Sequence, residues 1–369
     1  YRKVLDEYAA STSDCPEFVP FEGHNFSMRG MSSVESGMTA DAGHLLSFVG
    51  SDTLPGNVFV REYYGANPAD GIISCSVCAT EHAVMSAAGN ENERETFRRL
   101  ICDVYPSGIV SIVSDTWDLW KVLTEIAPSL KAEIEARDGK ITFRPDSGNP
   151  VKIVCGYVVR ENSELPKSRE QFEAFYEDGF DAVRTPAGVY MDEHGKVLSE
   201  NEVKGCVRIL HEQFGATKNS KGYYELNPKV GLIYGDSITI ERCREICKQL
   251  KDNGYASTNV VFGIGSYTYQ YNTRDTFSIA CKATWVQVDG VAREIFKDPV
   301  TDDGTKKSAK GLLCVYEEEG KLKLKDQASV TEEQNSVLKT VFLDGREFRT
   351  QCLTAIRKRL GDSRKPTGI

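Results

Sequence analysis

The feature that most constrains the fold is a repeated unit, in which a short β-branched run ends in polar or glycine residues and a helical segment follows. Six such runs occur at residues 45–49, 71–77, 109–113, 140–143, 230–234 and 259–262, and a further stretch near 18–21 precedes His24. Continuous apolar runs that alternate with helices are typical of buried parallel strands. Polar residues end nearly every unit, which favours a barrel, because an open sheet binds its ligand mainly at one switch point. We expect an irregular (β/α) barrel over residues 23–275.

The repeat is interrupted once, between residues 150 and 230. A charge-rich segment is followed at 188–198 by a hairpin pattern with glycine in its turn, so we predict an inserted, hairpin-containing subdomain over residues 152–200. After residue 275, Asp-Gly at 289–290 and Glu-Gly at 319–320 separate strand-like runs. These patterns indicate a flanking β-rich α/β lobe over 276–369, with C-terminal helices near 331–342 and 348–360. Residues 1–22 start inside an amphipathic helix pattern without a methionine, and we interpret them as the remnant of an N-terminal flanking domain.

Composition excludes several classes of protein. The chain of 369 residues has 54 acidic and 45 basic side chains and a formal net charge of −9, which argues against nucleic acid or an anionic membrane as partner, because both need a basic face. No apolar run approaches the ~20 residues of a membrane-spanning helix. The 11 cysteines are scattered, and the single CxxC at 75–78 has no second pair, so we expect reduced thiols in a cytoplasmic protein.

The densest motif is RPDSGNP at residues 144–150. An arginine at a strand end can make a forked contact to a phosphate or a carbonyl group. The aspartate two residues later can hold a ribose diol or a metal-bound oxygen. An Arg144–Asp146 pair that merely closes a turn explains the same residues equally well.

Two glycine loops end the last two runs, GDS at 235–237 and GIGS at 263–266, and Arg274 follows the second. Backbone amides at a helix N-terminus bind anions, and the phosphate sites of barrels fall in the loops after the seventh and eighth strands. A phosphate site is therefore one interpretation. The alternative is that Asp236 or Ser237 caps a helix and that the second loop only turns the chain.

His82 follows Glu81 at one inferred strand end, and Asp115 closes the next strand. A carboxylate partner fixes the imidazole tautomer and raises its basicity, which makes the other nitrogen a nucleophile or base. A single histidine is more often structural, although of the five in the chain only His24 and His82 fall at inferred strand ends. Near the first, Phe26 could stack on a flat ring or belong to the core, and Arg29 could hold an anion.

These motifs, and their order along the chain, resemble those of the nicotinamide phosphoribosyltransferase family, whose members are type II phosphoribosyltransferases. The matching segments are HNFSMRG at 24–30, GSDT at 50–53, SVCATEH at 76–82, SD at 114–115, RPDSGNP at 144–150, GD at 235–236, FGIG at 262–265, TRD at 273–275 and FKDP at 296–299. The resemblance implies transfer of phosphoribose from phosphoribosyl pyrophosphate to nicotinamide, which yields nicotinamide mononucleotide and pyrophosphate. It also implies Mg²⁺, ATP, no organic prosthetic group, and a homodimer with shared active sites.

The same resemblance implies roles for individual residues. Phe26 would cover one face of the pyridine ring, Asp52 would accept from the carboxamide NH₂, and Arg144 would donate to its carbonyl. The catalytic group would be Glu81, His82, Asp115 and Asp146, with His82 phosphorylated by ATP. The residues that would bind ribose or phosphate are Arg29, Gly235, Asp236, Gly265, Ser266, Arg274, Lys282, Lys297 and Lys306. Members of the family often have a glycine run where this chain has Ser266-Tyr267.

Two other functions stay open at this point. One is a nicotinate phosphoribosyltransferase or another barrel enzyme that uses a phosphosugar; Asp52 disfavours nicotinate, because a carboxylate repels a carboxylate. The other is a non-catalytic binding protein with the same fold. Intact Arg144, His82, Asp115 and Asp146 argue against it, since a decayed site is expected to lose some of them.

Overall fold

The computed structural model describes residues 1–235, 238–272, 276, 281–296, 308–349 and 352–363. The chain forms two compact units. The first comprises Tyr1–Ala283 and Phe296–Ser308, and the second comprises Thr284–Ile295 and Ala309–Ile369. The predicted domain limits at residues 22 and 275 stay a prediction.

A ring of short parallel strands forms the centre of the first unit. In chain order these strands are β1 Gly23–Asn25, β2 Gly50–Ser51, β3 Cys78–Ala79, β4 Ser107–Val113, β5 Asp138–Arg144, β6 Val230–Tyr234 and β7 Val260–Ile264. Their spatial order is β2-β1-β7-β6-β5-β4-β3, and all the pairings are parallel. Between β2 and β3 a parallel bridge joins Gly50 to Cys75, just ahead of β3. The sheet therefore curls into a ring, and the predicted irregular (β/α) barrel is confirmed.

Helices follow the strands along the chain and pack against the sheet in one continuous apolar core. The longer ones are Arg2–Thr12, Val34–Leu45, Pro55–Tyr64, Glu93–Arg99 with its continuation Leu100–Val104, Leu119–Lys121 with Val122–Ile126, Lys131–Ala136, Pro150–Cys155, Glu200–Phe214 and Ile240–Asp252. Shorter turns are Pro16–Phe18, Val19–Glu22, Met28–Gly30, Pro68–Asp70, His82–Ser86, Asn90–Asn92, Ala127–Ser129, Ser257–Asn259 and Ser266–Gln270.

The helix Ile240–Asp252 illustrates how the sequence produces this packing. Thr239 caps its start, because the hydroxyl accepts a hydrogen bond from the backbone N–H of Arg242. Its buried side chains, Cys243, Ile246, Cys247 and Leu250, recur at helical spacing and form one apolar face. Each fully buried aliphatic side chain stabilises the fold by ~1.5–3 kcal/mol. This helix follows β6 and is the helical segment that the repeated unit predicts after the run at 230–234.

Three of the predicted strands are displaced along the chain. Residues 19–22 are helical and residue 45 ends a helix, so that the strands begin later, at Gly23 and Gly50. Residues 71–77 are irregular apart from the bridge at Cys75, and the strand is Cys78–Ala79. These strands have only two or three residues, and the apolar run before each lies in a preceding helix or connection. A run of apolar residues could not distinguish the two cases.

The insertion forms a small sheet of its own with strands Val159–Arg160, Ala182–Arg184, Tyr190–Asp192 and Val197–Leu198 and the helix Arg169–Glu177. The antiparallel pairing of the last two strands confirms the predicted hairpin. The insertion leaves the barrel where Gly156 contacts Gly205. The helix Glu200–Phe214 is kinked at Gly205. Both glycines have positive φ (76° and 72°), and a Cβ on either one would clash with the other's backbone segment.

The second unit contains antiparallel hairpins, as predicted. Trp285–Val288 pairs with Val291–Glu294, Cys314–Glu318 with Lys321–Lys325, and Phe342–Leu343 with Arg346–Glu347. The helix predicted over 331–342 is much shorter, Val330–Gln334. Beyond it the backbone N–H of Val337 donates to the carbonyl of Val315 on a neighbouring strand at 2.8 Å instead of continuing the helix. The last described helix is Leu353–Ser363. Within the described part of the chain, none of the helices has the length and apolar character needed to span a membrane.

Candidate active site

The carboxyl ends of the barrel strands bring most of the predicted site residues to one rim. Residues at or just after a strand end are His24 and Phe26 (β1), Asp52 (β2), Glu81 and His82 (β3), Asp115 (β4), Arg144 and Asp146 (β5), Gly235 (β6), and Gly265 and Ser266 (β7). Parallel strands in a barrel direct these ends to the same face, where barrel enzymes place their active sites. The rim is therefore the candidate active site.

His82 lies between two carboxylates. Its Nε2 atom is 3.2 Å from Oδ1 of Asp115 and 3.5 Å from Oδ1 of Asp146. The backbone N–H of Asp146 in turn donates to Oδ2 of Asp115 at 3.0 Å. Asp115 is completely buried, whereas the side chains of His82 and Asp146 are 18% and 20% exposed. The imidazole therefore faces the rim and is held from below by a buried acid.

The buried carboxylate of Asp115 is held in its ionised form. Burial alone favours the neutral acid, but the hydrogen bond and the charge of His82, together with the N–H of Asp146, outweigh burial and lower the pKa of Asp115 well below its usual range. An ionised Asp115 orients the imidazole and stabilises positive charge on it.

Arg144 is buried at the end of β5 and is held by two hydrogen bonds. Its guanidinium donates to the carbonyl oxygen of Thr80, and its backbone N–H donates to Oγ of Ser114 at 3.3 Å. The carboxylate of Glu81 lies 3.8 Å from its Nη2 atom and is exposed. The structure thus fixes the guanidinium between the ends of β3 and β5, while Glu81 is its more exposed neighbour.

Phe26 packs on the end of β7. Its backbone N–H donates to the carbonyl of Ile264 at 2.9 Å, and its ring centroid is 4.8 Å from that of His24. A Cβ at position 263 would lie 2.6 Å from the Phe26 ring and 2.9 Å from the Cα of Gly235. Gly263 therefore lets the ring lie against the strand backbone.

Asp52 follows β2 and is held by two side chains. His24 Nε2 lies 3.1 Å from its Oδ1 atom, and the Ser76 hydroxyl donates to the same oxygen. Burial favours the neutral acid, but these hydrogen bonds and the charge of Arg144 outweigh it, and the pKa of Asp52 lies below its usual value. The side chain is 46% exposed, so an ionised carboxylate is accessible to a ligand.

The predicted phosphate residues are only partly described. Gly265 precedes the short helix Ser266–Gln270, and the hydroxyl of Ser266 donates to the carbonyl of Asn272 at 2.9 Å. Arg29 and Lys282 are exposed. Asp236, Arg274, Lys297 and Lys306 lie outside the described residues, and their predicted roles stay predictions.

A family model described as the nicotinate phosphoribosyltransferase (NAPRTase) family matches residues 21–346, which include the whole ring of strands. The chain belongs to the nicotinate phosphoribosyltransferase family.

Three relatives of this chain carry the same name. A protein of Acinetobacter baylyi named nicotinamide phosphoribosyltransferase is 46% identical over 366 residues, which is 98% of this chain and 65% of the relative. Proteins with the same name from Mycoplasma pneumoniae and Xanthomonas campestris are 37% and 31% identical, over 85% and 96% of this chain and 59% and 66% of their own lengths. The chain thus spans less than two thirds of the length of these relatives.

The rim also contains a group of side chains suited to a metal ion in this NAPRTase-family barrel. One ligand atom from each of His82, Asp115 and Asp146 lies within 4.8 Å of the others. Carboxylate oxygens are the ligands that Mg²⁺ prefers, usually one or two of them together with substrate phosphates. The two carboxylates therefore fit such an ion.

Sequence reasoning missed three contributors to the rim. His24 and Ser76 both contact Asp52, yet neither was assigned a role. Thr80 holds Arg144 through its carbonyl group, which no side-chain motif reveals. The position of His24 at a strand end, two residues before Phe26, was the one signal that could have identified it.

Proposed function

We propose that this barrel transfers phosphoribose from phosphoribosyl pyrophosphate to nicotinamide, which forms nicotinamide mononucleotide and pyrophosphate in NAD salvage. One observation carries the proposal: an accessible, ionised Asp52 shares the rim with the ring of Phe26 and with the guanidinium of Arg144. The identity of 46% to a protein named nicotinamide phosphoribosyltransferase supports it.

The base is recognised by its amide and its ring. Phe26 stacks on the pyridine, Asp52 accepts from the carboxamide NH₂, and Arg144 donates to the carboxamide oxygen. Because His24 and Ser76 occupy Oδ1 of Asp52, its Oδ2 atom is the acceptor for the ligand. Nicotinate offers a carboxylate at this position, which Asp52 repels.

Transfer at the anomeric carbon of the ribose develops positive charge on the sugar and negative charge on the departing pyrophosphate. In this proposal Asp146, whose side chain lies beside Gly235 at the β6 end, stabilises the sugar and binds its hydroxyls. The remaining contacts to ribose and phosphate come from Arg29, Gly265, Ser266 and Lys282, and from Asp236, Arg274, Lys297 and Lys306, which lie outside the described residues. No protein nucleophile toward the sugar is needed.

ATP couples to the reaction through His82. Because Nε2 of His82 faces Asp115 and Asp146, Nδ1 is the nitrogen that accepts the γ-phosphoryl group of ATP, and ADP leaves. Asp115 stays ionised and balances positive charge on the ring, and Glu81 beside Arg144 borders the same position. Asp115 and Asp146 would hold Mg²⁺, which would screen the negative charge of the phosphates.

The active form is a homodimer with shared sites. Supporting this, large apolar side chains are exposed just after Asp52, on the helix Pro55–Tyr64 and on the residue before it. They are Leu54, Val58, Tyr63 and Tyr64, which are 56–72% exposed. Large exposed apolar patches mark interaction surfaces. A cytoplasmic location is supported by the cysteines, all of which are free thiols.

The decisive experiment incubates the complete protein with nicotinamide or nicotinate, phosphoribosyl pyrophosphate, Mg²⁺ and ATP. We expect nicotinamide mononucleotide, and an acid-labile phosphate on His82. A preference for nicotinate supports the alternative activity of the family. Ligand binding without either product supports a binding protein on the same fold.

A further inference from the structure

A buried carboxylate lies behind the two loops that carry Phe26 and Asp52. It belongs to Asp41, which is completely buried on the helix Val34–Leu45. Its Oδ1 atom accepts a hydrogen bond from Nδ2 of Asn25 at 2.7 Å and another from Oγ of Ser51 at 2.6 Å. Asn25 and Ser51 are the last residues of β1 and β2. A single oxygen atom therefore joins the ends of two neighbouring barrel strands.

Asn25 uses its other polar atom to shape its own loop. Its Oδ1 atom accepts from the backbone N–H of Ser27 at 2.9 Å. This bond spans one residue, Phe26, whose ring borders the proposed nicotinamide site. Because the amide donates to Asp41 and accepts from Ser27, both ends of the buried Asn25 side chain are satisfied.

Ser51 repeats the arrangement at the end of β2. While its hydroxyl donates to Asp41, the same oxygen accepts from the backbone N–H of Thr53 at 3.0 Å. This bond also spans one residue, Asp52, the proposed acceptor for the carboxamide. A backbone bond from the N–H of Asp52 to the carbonyl of Asn25, at 3.0 Å, ties the two loops together.

The surroundings of Asp41 leave little room for another group. Its Oδ2 atom is buried and has no hydrogen-bond partner among the described residues, and a Cβ at position 56 would overlap it. Burial raises the pKa of Asp41, and the hydrogen bonds from Ser51 and Asn25 oppose this shift. The side chain therefore acts through Oδ1, toward the two strand ends.

We propose that Asp41 is a positioning residue for the base: its carboxylate sets the spacing between the Phe26 ring and the Asp52 carboxylate. The two spanned residues are those that contact the ring and the amide of nicotinamide, and this inference rests on that proposed function. Asp41 itself touches no ligand. Its effect on binding passes through Asn25 and Ser51.

The test replaces Asp41 in the complete protein in two ways. Asp41→Asn keeps an acceptor oxygen for Asn25 and Ser51, whereas Asp41→Leu keeps the approximate size and removes both hydrogen bonds. We expect Asp41→Leu to raise KM for nicotinamide by about tenfold or more, since misplaced contacts weaken the bound base. KM for phosphoribosyl pyrophosphate stays within about twofold, and Asp41→Asn restores most of the affinity for nicotinamide.

Glu22→Gln is the matched control, because Glu22 is an equally buried carboxyl whose oxygens have no hydrogen-bond partner among the described residues. Equal rises of KM for both substrates in Asp41→Leu, or a loss of thermal stability alone, would mean that Asp41 is only structural.

Hydrogen exchange separates this inference from the proposed function. We expect the amides of Ser27 and Thr53 to lose protection in Asp41→Leu and to keep it in Asp41→Asn. If the wild-type protein does not use nicotinamide, the proposed function fails, yet the exchange data still decide whether Asp41 orders the two loops. Unchanged protection in Asp41→Leu overturns the inference even when nicotinamide is the substrate.

Discussion

Nε2 of His82 lies 3.2 Å from Oδ1 of Asp115, and the carboxylate is completely buried while the imidazole reaches the rim. The two residues follow neighbouring strands, β3 and β4. The barrel therefore supplies an imidazole with one nitrogen held by an anion, and an imidazole oriented in this way can act as a nucleophile through its other nitrogen.

His82→Ala is expected to abolish ATP hydrolysis and the stimulation of product formation by ATP. Asp115→Asn should lower ATP hydrolysis by about 100-fold, because the imidazole loses the charge that orients it. Phosphate release and mononucleotide formation, each with and without ATP, are the measurements. His194→Ala is the control, since His194 lies exposed in the inserted hairpin. Full ATP coupling in His82→Ala would contradict the proposed phosphorylation of His82.

Asp52→Ser is expected to lower the nicotinamide-to-nicotinate ratio of kcat/KM by roughly 10- to 100-fold, since a charge-assisted hydrogen bond is lost and a repulsion is removed. Competition between the two bases measures this ratio. Ser76→Ala, which removes one donor to Asp52, should shift the ratio in the same direction by a smaller factor. An unchanged ratio in Asp52→Ser means that another residue selects the base.

Gly263→Ala is expected to raise KM for nicotinamide by about tenfold, because the new Cβ would lie 2.6 Å from the Phe26 ring and displace it. Steady-state kinetics with each substrate varied in turn measures the effect. Gly43→Ala is the control: its Cβ meets no atom within 4 Å and lies inside a helix, so KM stays constant and stability rises by about 0.5–1 kcal/mol. Equal KM values in the two variants contradict the proposed position of Phe26.

Glu22→Gln is expected to stabilise the protein at alkaline pH. Burial raises the pKa of Glu22 to about 9, and neither carboxyl oxygen has a hydrogen-bond partner among the described residues. A raised pKa means that the folded state binds the proton more tightly than the unfolded state. The contribution of protonated Glu22 to the free energy of unfolding is therefore complete below the unfolded pKa of 4.5 and is lost as the pH rises toward 9.

Urea unfolding from pH 4 to 9 measures the effect of Glu22→Gln. The wild-type free energy of unfolding should fall by up to about 1.4 kcal/mol per pH unit from this group alone, and the variant should lack that decline. Equal pH slopes for the two proteins would show that Glu22 ionises without cost in the fold.

Val58→Asp is expected to shift a dimer toward monomer and to lower activity, because the charge would enter the proposed interface beside the Asp52 loop. Analytical ultracentrifugation and activity at several protein concentrations measure both effects. Val330→Asp is the control, since Val330 lies on a different helix and is 60% exposed, similar to the 56% of Val58. A dimer that is stable in Val58→Asp places the interface elsewhere.

The barrel was predictable because six strand–helix units repeat the same pattern, and the parallel register then brings strand ends together whatever the loops contain. His82 and Asp115 follow two strands, β3 and β4, that this parallel pairing makes neighbours. The exact strands β1 to β3 were not predictable, because two- or three-residue strands carry no periodic signal.

The residues that support the Asp52 loop could not be predicted from the sequence either. Asp41 lies within a helix among small residues, and nothing local distinguishes it from a solvent-exposed aspartate. Its burial and its bonds to Asn25 and Ser51 depend on how helix and strands pack in three dimensions. Likewise, Thr80 contributes a carbonyl group, which every residue has.

The contact of Gly156 with Gly205 brings the two ends of the inserted segment together. The backbone N–H of Tyr157 donates to the carbonyl of Val203 at 3.0 Å, so the segment leaves and re-enters the barrel at nearly the same point. Evolution can lengthen, shorten or exchange the intervening residues without changing the register of β5 and β6. An engineer could graft a sensor or an affinity domain there and leave the rim chemistry in place.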